Sequence, residues 1–353
     1  MELTHGGDWA GYRAAFGRDA LDFSANVSPL GLPAGVAAAI SEAIATADRY
    51  PDPLCRALCA AIADAEGLPA QWIMCGNGAA DLIFRLVLAA RPRRALVLAP
   101  TFAEYEAALD VVGCEVVRYF LDEADDFAVT EAILDAITPD VDMVFLCQPN
   151  NPTGQLAAPE LVAKLAAKCA ESGARLAVDE CFLDFLPDAD ALTAKPLLAG
   201  AGKPVIFKAF TKLYAMAGVR LGWCECADEG LLASMRAAGQ PWAVSGLAEA
   251  AGCEALRETA YANRVRALVA AERPRLAAGL RALGLRVVDG RANYLLFRAP
   301  SALGETLRQR GVVLRSCKNY QGLDDSWWRT AVRTGAENDA LLAAIRMALE
   351  ELQ

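Results

Sequence analysis

The chain has 353 residues, 55% hydrophobic and 22% charged, with a formal net charge of −10. That length suits about two domains, and the composition is ordinary globular material with apolar residues enough for large cores. The acidic balance argues against nucleic acid as a partner, because phosphate backbones need an extended basic face, and no apolar run approaches the roughly 18 residues of a membrane-spanning helix.

Residues 1–9 carry neither the basic nor the apolar region of a secretory leader. From about residue 70 to 226, short apolar, β-branched runs alternate with amphipathic stretches. Strands are expected at 95–99, 115–120, 143–147, 175–178, 205–208 and 221–224, with helices at 103–112 and 159–172 among them. The alternation reads as an α/β domain with a mostly parallel sheet, which binds ligands at the carboxyl ends of its strands. After Trp242 the texture changes. Residues 246–283 are rich in Ala, Glu and Arg at helical periodicity, as for one long helix leaving the first domain. Strands at 286–288, 294–297 and 329–333 and a closing helix at 339–352 then suggest a smaller α+β domain. The expected division is an N-terminal segment, 1–30, near the mouth of the site, a large domain, 31–242, and a small one, 243–353.

Eleven cysteines include no C-x-x-C pair and their total is odd, as for buried free thiols in a reducing cytoplasm. Cys55 and Cys59 can share a helix face, but no second pair completes a zinc site, so no metal is expected. His5 is the one histidine, which makes a Ser-His-Asp triad a poor candidate.

Four local features carry possible chemistry. Gly76-Asn77-Gly78-Ala79-Ala80-Asp81 follows an apolar run and is expected to open a helix at Leu82; its backbone N–H groups either cradle an anion or form an ordinary capped turn. Pro149-Asn150-Asn151-Pro152-Thr153-Gly154 is a stiff turn after a strand, where an Asn amide can donate to a ligand oxygen. Asp179 ends a strand, pointing into the crevice or capping the next helix. Lys212 follows another strand, with Arg220 eight residues on, and a lysine in a partly desolvated crevice can capture a carbonyl.

Together these residues resemble the pyridoxal-phosphate (PLP) enzymes of fold type I, in the class I and II aminotransferase group, from His5 to the last helix. The resemblance implies the aspartate-aminotransferase-like α/β fold. It implies that Lys212 bears PLP as a Schiff base, Asp179 pairs with the pyridine nitrogen, Asn151 holds the ring's 3-oxygen and Phe102 stacks on the ring. The phosphate falls to Gly78, Ala79, Ala80, Thr211 and Arg220, with Tyr50 reaching it from the partner subunit of a homodimer. Arg329 corresponds to the arginine that grips a substrate carboxylate. Two positions depart from the pattern: Ala209 lacks a hydroxyl that relatives offer the phosphate, and Phe182 stands where aminotransferases generally place a tyrosine.

Within the group, His5-Gly6-Gly7, Asp22-Phe23-Ser24-Ala25-Asn26, Pro29-Leu30-Gly31 and Phe182 resemble the L-threonine-O-3-phosphate decarboxylase family of cobalamin biosynthesis. So do Arg291-Ala292-Asn293-Tyr294-Leu295 and Arg315-Ser316-Cys317 with Asn319-Tyr320. Histidinol-phosphate aminotransferases share the cofactor residues but generally have the tyrosine and lack the His-Gly-Gly opening. A phosphorylated amino acid has two anionic ends, so Arg329 is assigned the carboxylate and Arg315 the phosphate, with His5, Ser24, Asn26 and Asn151 assisting. His5 can equally be a loose terminal residue, and Arg333 is by default half of a structural ion pair.

Overall fold

The computed structural model describes residues 5–352. After the helix Trp9–Phe16, a two-residue strand, β1 (Leu21–Asp22), precedes the main sheet. That sheet is built from β2 (Ile73–Gly76), β3 (Arg94–Ala99), β4 (Glu115–Phe120), β5 (Met143–Cys147), β6 (Arg175–Asp179), β7 (Val205–Ala209) and β8 (Gly222–Glu225). Its spatial order is β2-β8-β7-β6-β5-β3-β4, with β8 antiparallel to both its neighbours. Every residue of β5 and β7 is buried, the signature of strands covered on both faces. Helix Pro159–Ser172 packs one face through Leu161, Leu165 and Cys169. Helices Gly78–Ala90, Glu104–Val111 and Glu229–Ala237 cover the other. From β3 the chain steps outward to β4 and then returns to β5 on the opposite side. Loops leaving β3 and β5 therefore diverge, and a crevice opens at the carboxyl ends.

The remaining strands are β9 (Arg286–Val287), β10 (Tyr294–Arg298), β11 (Val312–Val313), β12 (Arg315–Ser316) and β13 (Trp327–Ala331). An antiparallel sheet of order β12-β13-β10-β9 packs against helices Thr259–Ala282, Leu303–Gln309 and Gly335–Glu351 around Leu276, Leu307, Phe297 and Leu341. The N-terminal segment ties this unit to the first. β1 pairs in parallel with β11, Phe23 is buried in the small core, and the Ser28 N–H donates to the Lys212 carbonyl at 2.8 Å.

The expected long helix at 246–283 is two helices, Gly246–Ala255 and Thr259–Ala282. The first does not leave the large domain. Its Ala248, Ala251 and Ala255 share a core with Val36, Leu58 and Phe210, and Gly252 lies flush on Leu58 and Leu221. Packing thus joins this helix to the core of the preceding residues; helical periodicity alone does not register a face made of small residues. β2 was not expected, being a four-residue edge strand. The strand expected at 329–333 is Trp327–Ala331, and the last helix starts earlier than 339, at Gly335, under a capping box of Thr334 and Glu337. The helix expected from Leu82 begins at Gly78.

β8 passes directly beneath that helix start. A Cβ on Gly222 would lie 2.7 Å from the Ala79 nitrogen and 2.9 Å from the Gly78 carbonyl carbon. Gly222→Ala is therefore expected to cost about 1–3 kcal/mol through overpacking, measured as a lower urea midpoint at unchanged slope; an unchanged midpoint would contradict this close approach.

Candidate active site

Helix Gly78–Ala90 presents its N-terminus to the crevice because Gly78 takes φ +81°, open to glycine without strain. Arg220 reaches over it, its Nη2 only 2.8 Å from where a Gly78 Cβ would be. A guanidinium beside the positive end of a helix dipole is an unfavourable pairing unless an anion lies between them. Thr211, also buried, lines the same cavity with Ala79 and Ala80. That cavity, of about 110 Å³, is also walled by Phe102, Asn151, Asp179, Phe182, Ala209 and Lys212. The loops after β3, β5, β6 and β7 thus converge on one space.

Asp179 closes β6 as a buried carboxylate. One oxygen accepts from the Tyr105 hydroxyl at 2.6 Å and the other from the Cys181 N–H at 3.0 Å. Asp179 faces the cavity and orders the turn at Cys181, but it does not cap the next helical element, whose N-cap is Phe182. Tyr105 stacks on Phe145 with ring centroids 4.9 Å apart, and burial, reinforced by Asp179, pushes its hydroxyl well above the ordinary range. It stays a donor. Lys212 lies 5.5 Å from the centre of the Phe182 ring, which packs edge-on against Tyr294 at 5.0 Å. Burial, with repulsion from Arg329 and Arg220, lowers the Lys212 amine from 10.5 to about 8.

Arg315 and Arg329 stand directly opposite each other across the antiparallel β12–β13 pair, and both are buried. Neutral oxygens are among the acceptors of both. Arg329 donates to the Asn151 side-chain oxygen and, at 3.0 Å, to the Ser24 carbonyl. Arg315 donates to Asn319 Oδ1 at 2.7 Å and to the Ser316 carbonyl. Tyr320 stands between them, its ring 5.5 Å from the Arg315 guanidinium and its hydroxyl 3.3 Å from Arg329 Nη1. Arg329 Nε and both polar atoms of the buried Asn26 side chain have no hydrogen-bond partner among the described residues, a cost of about 1–3 kcal/mol each unless a ligand supplies the bond.

Most residues expected from sequence line one of two spaces. Most of the cofactor set lines the small cavity, whereas His5, Ser24 and Arg315 line an outer cleft of about 900 Å³; Gly78, Asn26 and Arg329 line neither. Arg329 spans the division through Asn151 on one side and Ser24 on the other. His5 has a partner, its Nε2 lying 2.6 Å from Glu104 Oε1. The Ser24 hydroxyl donates to Asp22 and accepts from the Gly7 N–H, so this residue reaches Arg329 through its backbone. Tyr50 lies outside both spaces, 83% exposed and packed on Trp242 at 4.7 Å. Arg333 forms the structural pair expected by default, with Glu337 at 2.6 Å. Tyr105 was missed; its signal was an aromatic hydroxyl one turn after Phe102, which must find a partner once buried. These side chains fit PLP: an amine of lowered basicity for its aldehyde, a carboxylate for its ring nitrogen, an aromatic wall, and a helix N-terminus with Arg220 for its phosphate.

The family model for aminotransferase class I and II matches residues 18–345. The chain is similar to the threonine-phosphate decarboxylase of Salmonella typhimurium, 40% identical over 333 residues that cover 93% of this chain and 91% of that protein. It is also similar to the histidinol-phosphate aminotransferase of Symbiobacterium thermophilum, at 34% identity over 94% of this chain and 91% of that one. Among solved structures, the histidinol-phosphate aminotransferase of Sinorhizobium meliloti in complex with pyridoxal-5'-phosphate superposes with a TM-score of 0.86 at 22% identity, covering 100% of this chain and 96% of that one.

Only an unprotonated amine captures an aldehyde. With Lys212 lowered to about 8, the rate of aldehyde capture by the cofactor-free protein, trapped by borohydride and mapped to Lys212, is expected to rise with pH about a midpoint near 8. A midpoint near the ordinary 10.5 would contradict the desolvated placement of this amine.

Proposed function

The chain belongs to the class I and II aminotransferase family, and from that premise we propose that it decarboxylates O-phospho-L-threonine. The products are (R)-1-amino-2-propanol O-2-phosphate and CO₂, the step known for the resembling decarboxylases of cobalamin biosynthesis. The cofactor is PLP. The observation that carries the reading is the buried, side-by-side pair Arg315 and Arg329, which suits a substrate with two anionic groups rather than one. Phe182 supports it, because it offers no hydroxyl where aminotransferases place one.

Bound PLP supplies an electron sink, so that a bond at the substrate Cα can break. The chain's own residues decide which bond that is. Arg329, braced by Asn151 and Ser24, holds the substrate carboxylate, while Arg315 fixes the phosphate from β12. A substrate gripped at both ends cannot rotate about its Cα, so the bond presented for cleavage is set by the spacing of the two arginines. Asp179, fixed by Tyr105 and the Cys181 N–H, would hold the cofactor's ring nitrogen in its protonated form. Lys212, with a proton affinity near neutrality, holds and returns a proton at Cα. His5, Ser24 and Asn26 close the phosphate end in this assignment.

The active form is proposed to be a homodimer in which Tyr50 of one subunit reaches the phosphate site of the other. Tyr50, Trp242 and Leu54 form an exposed apolar surface near that residue, of the kind that marks an interface. A cytoplasmic setting belongs to the same proposal and is supported by eleven free thiols. No helix of the described residues is long and apolar enough to cross a membrane.

Product analysis tests the reaction. PLP-loaded protein given O-phospho-L-threonine without any keto acid is expected to release CO₂ and aminopropanol phosphate. Absence of CO₂, with turnover of histidinol phosphate once 2-oxoglutarate is added, would make the protein an aminotransferase instead.

A further inference from the structure

Three thiols that take no part in this chemistry gather beneath the cofactor turn. Cys59, on helix Arg56–Glu66, and Cys75, on β2, have sulfurs 3.7 Å apart. Cys55, at the head of the same helix, also adjoins Cys75. From sequence, Cys55 and Cys59 were helix neighbours with no second pair; β2 brings up a single third thiol, and no group of metal-ligating side chains forms among the described residues. A surface pocket of about 340 Å³ reaches Cys55 and Cys75 and is walled by Arg85 and Arg236. Arg236 is anchored to the Ile73 carbonyl at 3.3 Å. The hydrogen bond from Cys75, with Arg236 assisting against burial, holds the Cys59 thiol below its ordinary range. Cys59 itself is buried, but its partner thiol Cys75 opens on the pocket, so a thiol of lowered basicity lies one sulfur away from a route for a small oxidant.

The position of Cys75 gives such reactivity a consequence. It immediately precedes Gly76-Asn77-Gly78, and Gly76 is packed so tightly that a Cβ there would lie 2.7 Å from Leu82 and 2.9 Å from Asp81. A shift of β2 must therefore be passed to the first turn of helix Gly78–Ala90. We propose that Cys59 and Cys75 form a peroxide-sensitive pair whose closure into a disulfide loosens the anion-binding turn at Gly78. The inference rests on the assignment of that turn to the PLP phosphate.

Chemically, the Cys59 thiolate attacks one oxygen of hydrogen peroxide, the O–O bond breaks, and the departing hydroxide leaves as water, giving a sulfenic acid. The Cys75 sulfur then attacks the Cys59 sulfur, and the hydroxyl leaves with the Cys75 proton as a second water. Two thiols lose two electrons and two protons, and one peroxide becomes two waters. The sulfurs close from 3.7 Å to about 2 Å, drawing β2 toward helix Arg56–Glu66.

The test uses the full-length, PLP-loaded protein treated with hydrogen peroxide, alkylated and mapped by mass spectrometry, with PLP affinity followed by visible absorbance. The expected result is a Cys59–Cys75 link, reversed by dithiothreitol, with PLP binding roughly tenfold weaker, while Cys59→Ser and Cys75→Ser each keep their PLP affinity through the same treatment. Both thiols remaining alkylatable overturns the proposal, as does a Cys55–Cys75 link or a Cys59–Cys75 link that leaves PLP affinity unchanged. Failure of the untreated protein to take up PLP would sink the cofactor assignment itself, and is told apart because it appears before any peroxide is added.

Discussion

Two guanidinium groups held opposite one another and out of water are the constraint on which the rest of this site depends. Like charges in directly facing strand positions repel, and removing charge from water costs several kcal/mol per ion unless a partner compensates. Arg315 and Arg329 nevertheless face each other across β12 and β13, with Arg220 and Lys212 nearby, in a chain of net charge −10. Arg329 is oriented by neutral acceptors, the Asn151 and Tyr320 side chains and the Ser24 carbonyl, and Asn319 accepts from Arg315. Carbonyl and amide oxygens orient a guanidinium without cancelling its charge. Around Arg329, whose Nε has no hydrogen-bond partner among the described residues, the arrangement leaves an anionic group as the natural completion, and a substrate carboxylate is such a group.

The fold is what makes that concentration of charge possible. The reversal of strand order between β3 and β5 opens the crevice, and the small sheet delivers both arginines to its rim from adjacent strands. The N-terminal segment joins the two units at the same point. Its Ser24 carbonyl holds Arg329, while its Ser28 N–H holds the Lys212 loop. A change in the angle between the two domains therefore moves the substrate grips relative to the amine. Phe182, Tyr261, Val265 and Tyr294 pack together where the units meet, which puts the residue that departs from the aminotransferase pattern within the contact between domains.

Much of this was legible in the sequence because parallel, doubly covered strands write themselves as continuous apolar runs. Met143–Cys147 falls where expected, and Arg175–Asp179 and Val205–Ala209 extend their expected ranges by one residue each; Glu115–Phe120, a largely exposed edge strand, also falls where expected, on its β-branched and aromatic residues. The chemistry-bearing residues stood at the ends of these runs, where the α/β architecture puts ligands. Less legible were features made by packing between distant segments. Gly246–Ala255 resembles the start of the next helix until its alanines are seen against Leu58 and Val36. The division between a small inner cavity and a larger outer cleft has no linear signal. Neither do the supports from Tyr105 and Tyr320, which act through hydroxyls aimed across 74 and 169 positions of chain at Asp179 and Asn151.

The central claim is that Arg315 serves the substrate phosphate rather than the cofactor or the fold. It is tested most directly by comparing kcat/KM for O-phospho-L-threonine and L-threonine in the native protein and in Arg315→Ala, with PLP affinity measured alongside. The account predicts a strong native preference for the phosphorylated substrate that falls about 100-fold or more in the variant, the size of a lost buried charge pair, while PLP stays bound. A preference that survives the substitution, or an equal loss of PLP affinity, would contradict it.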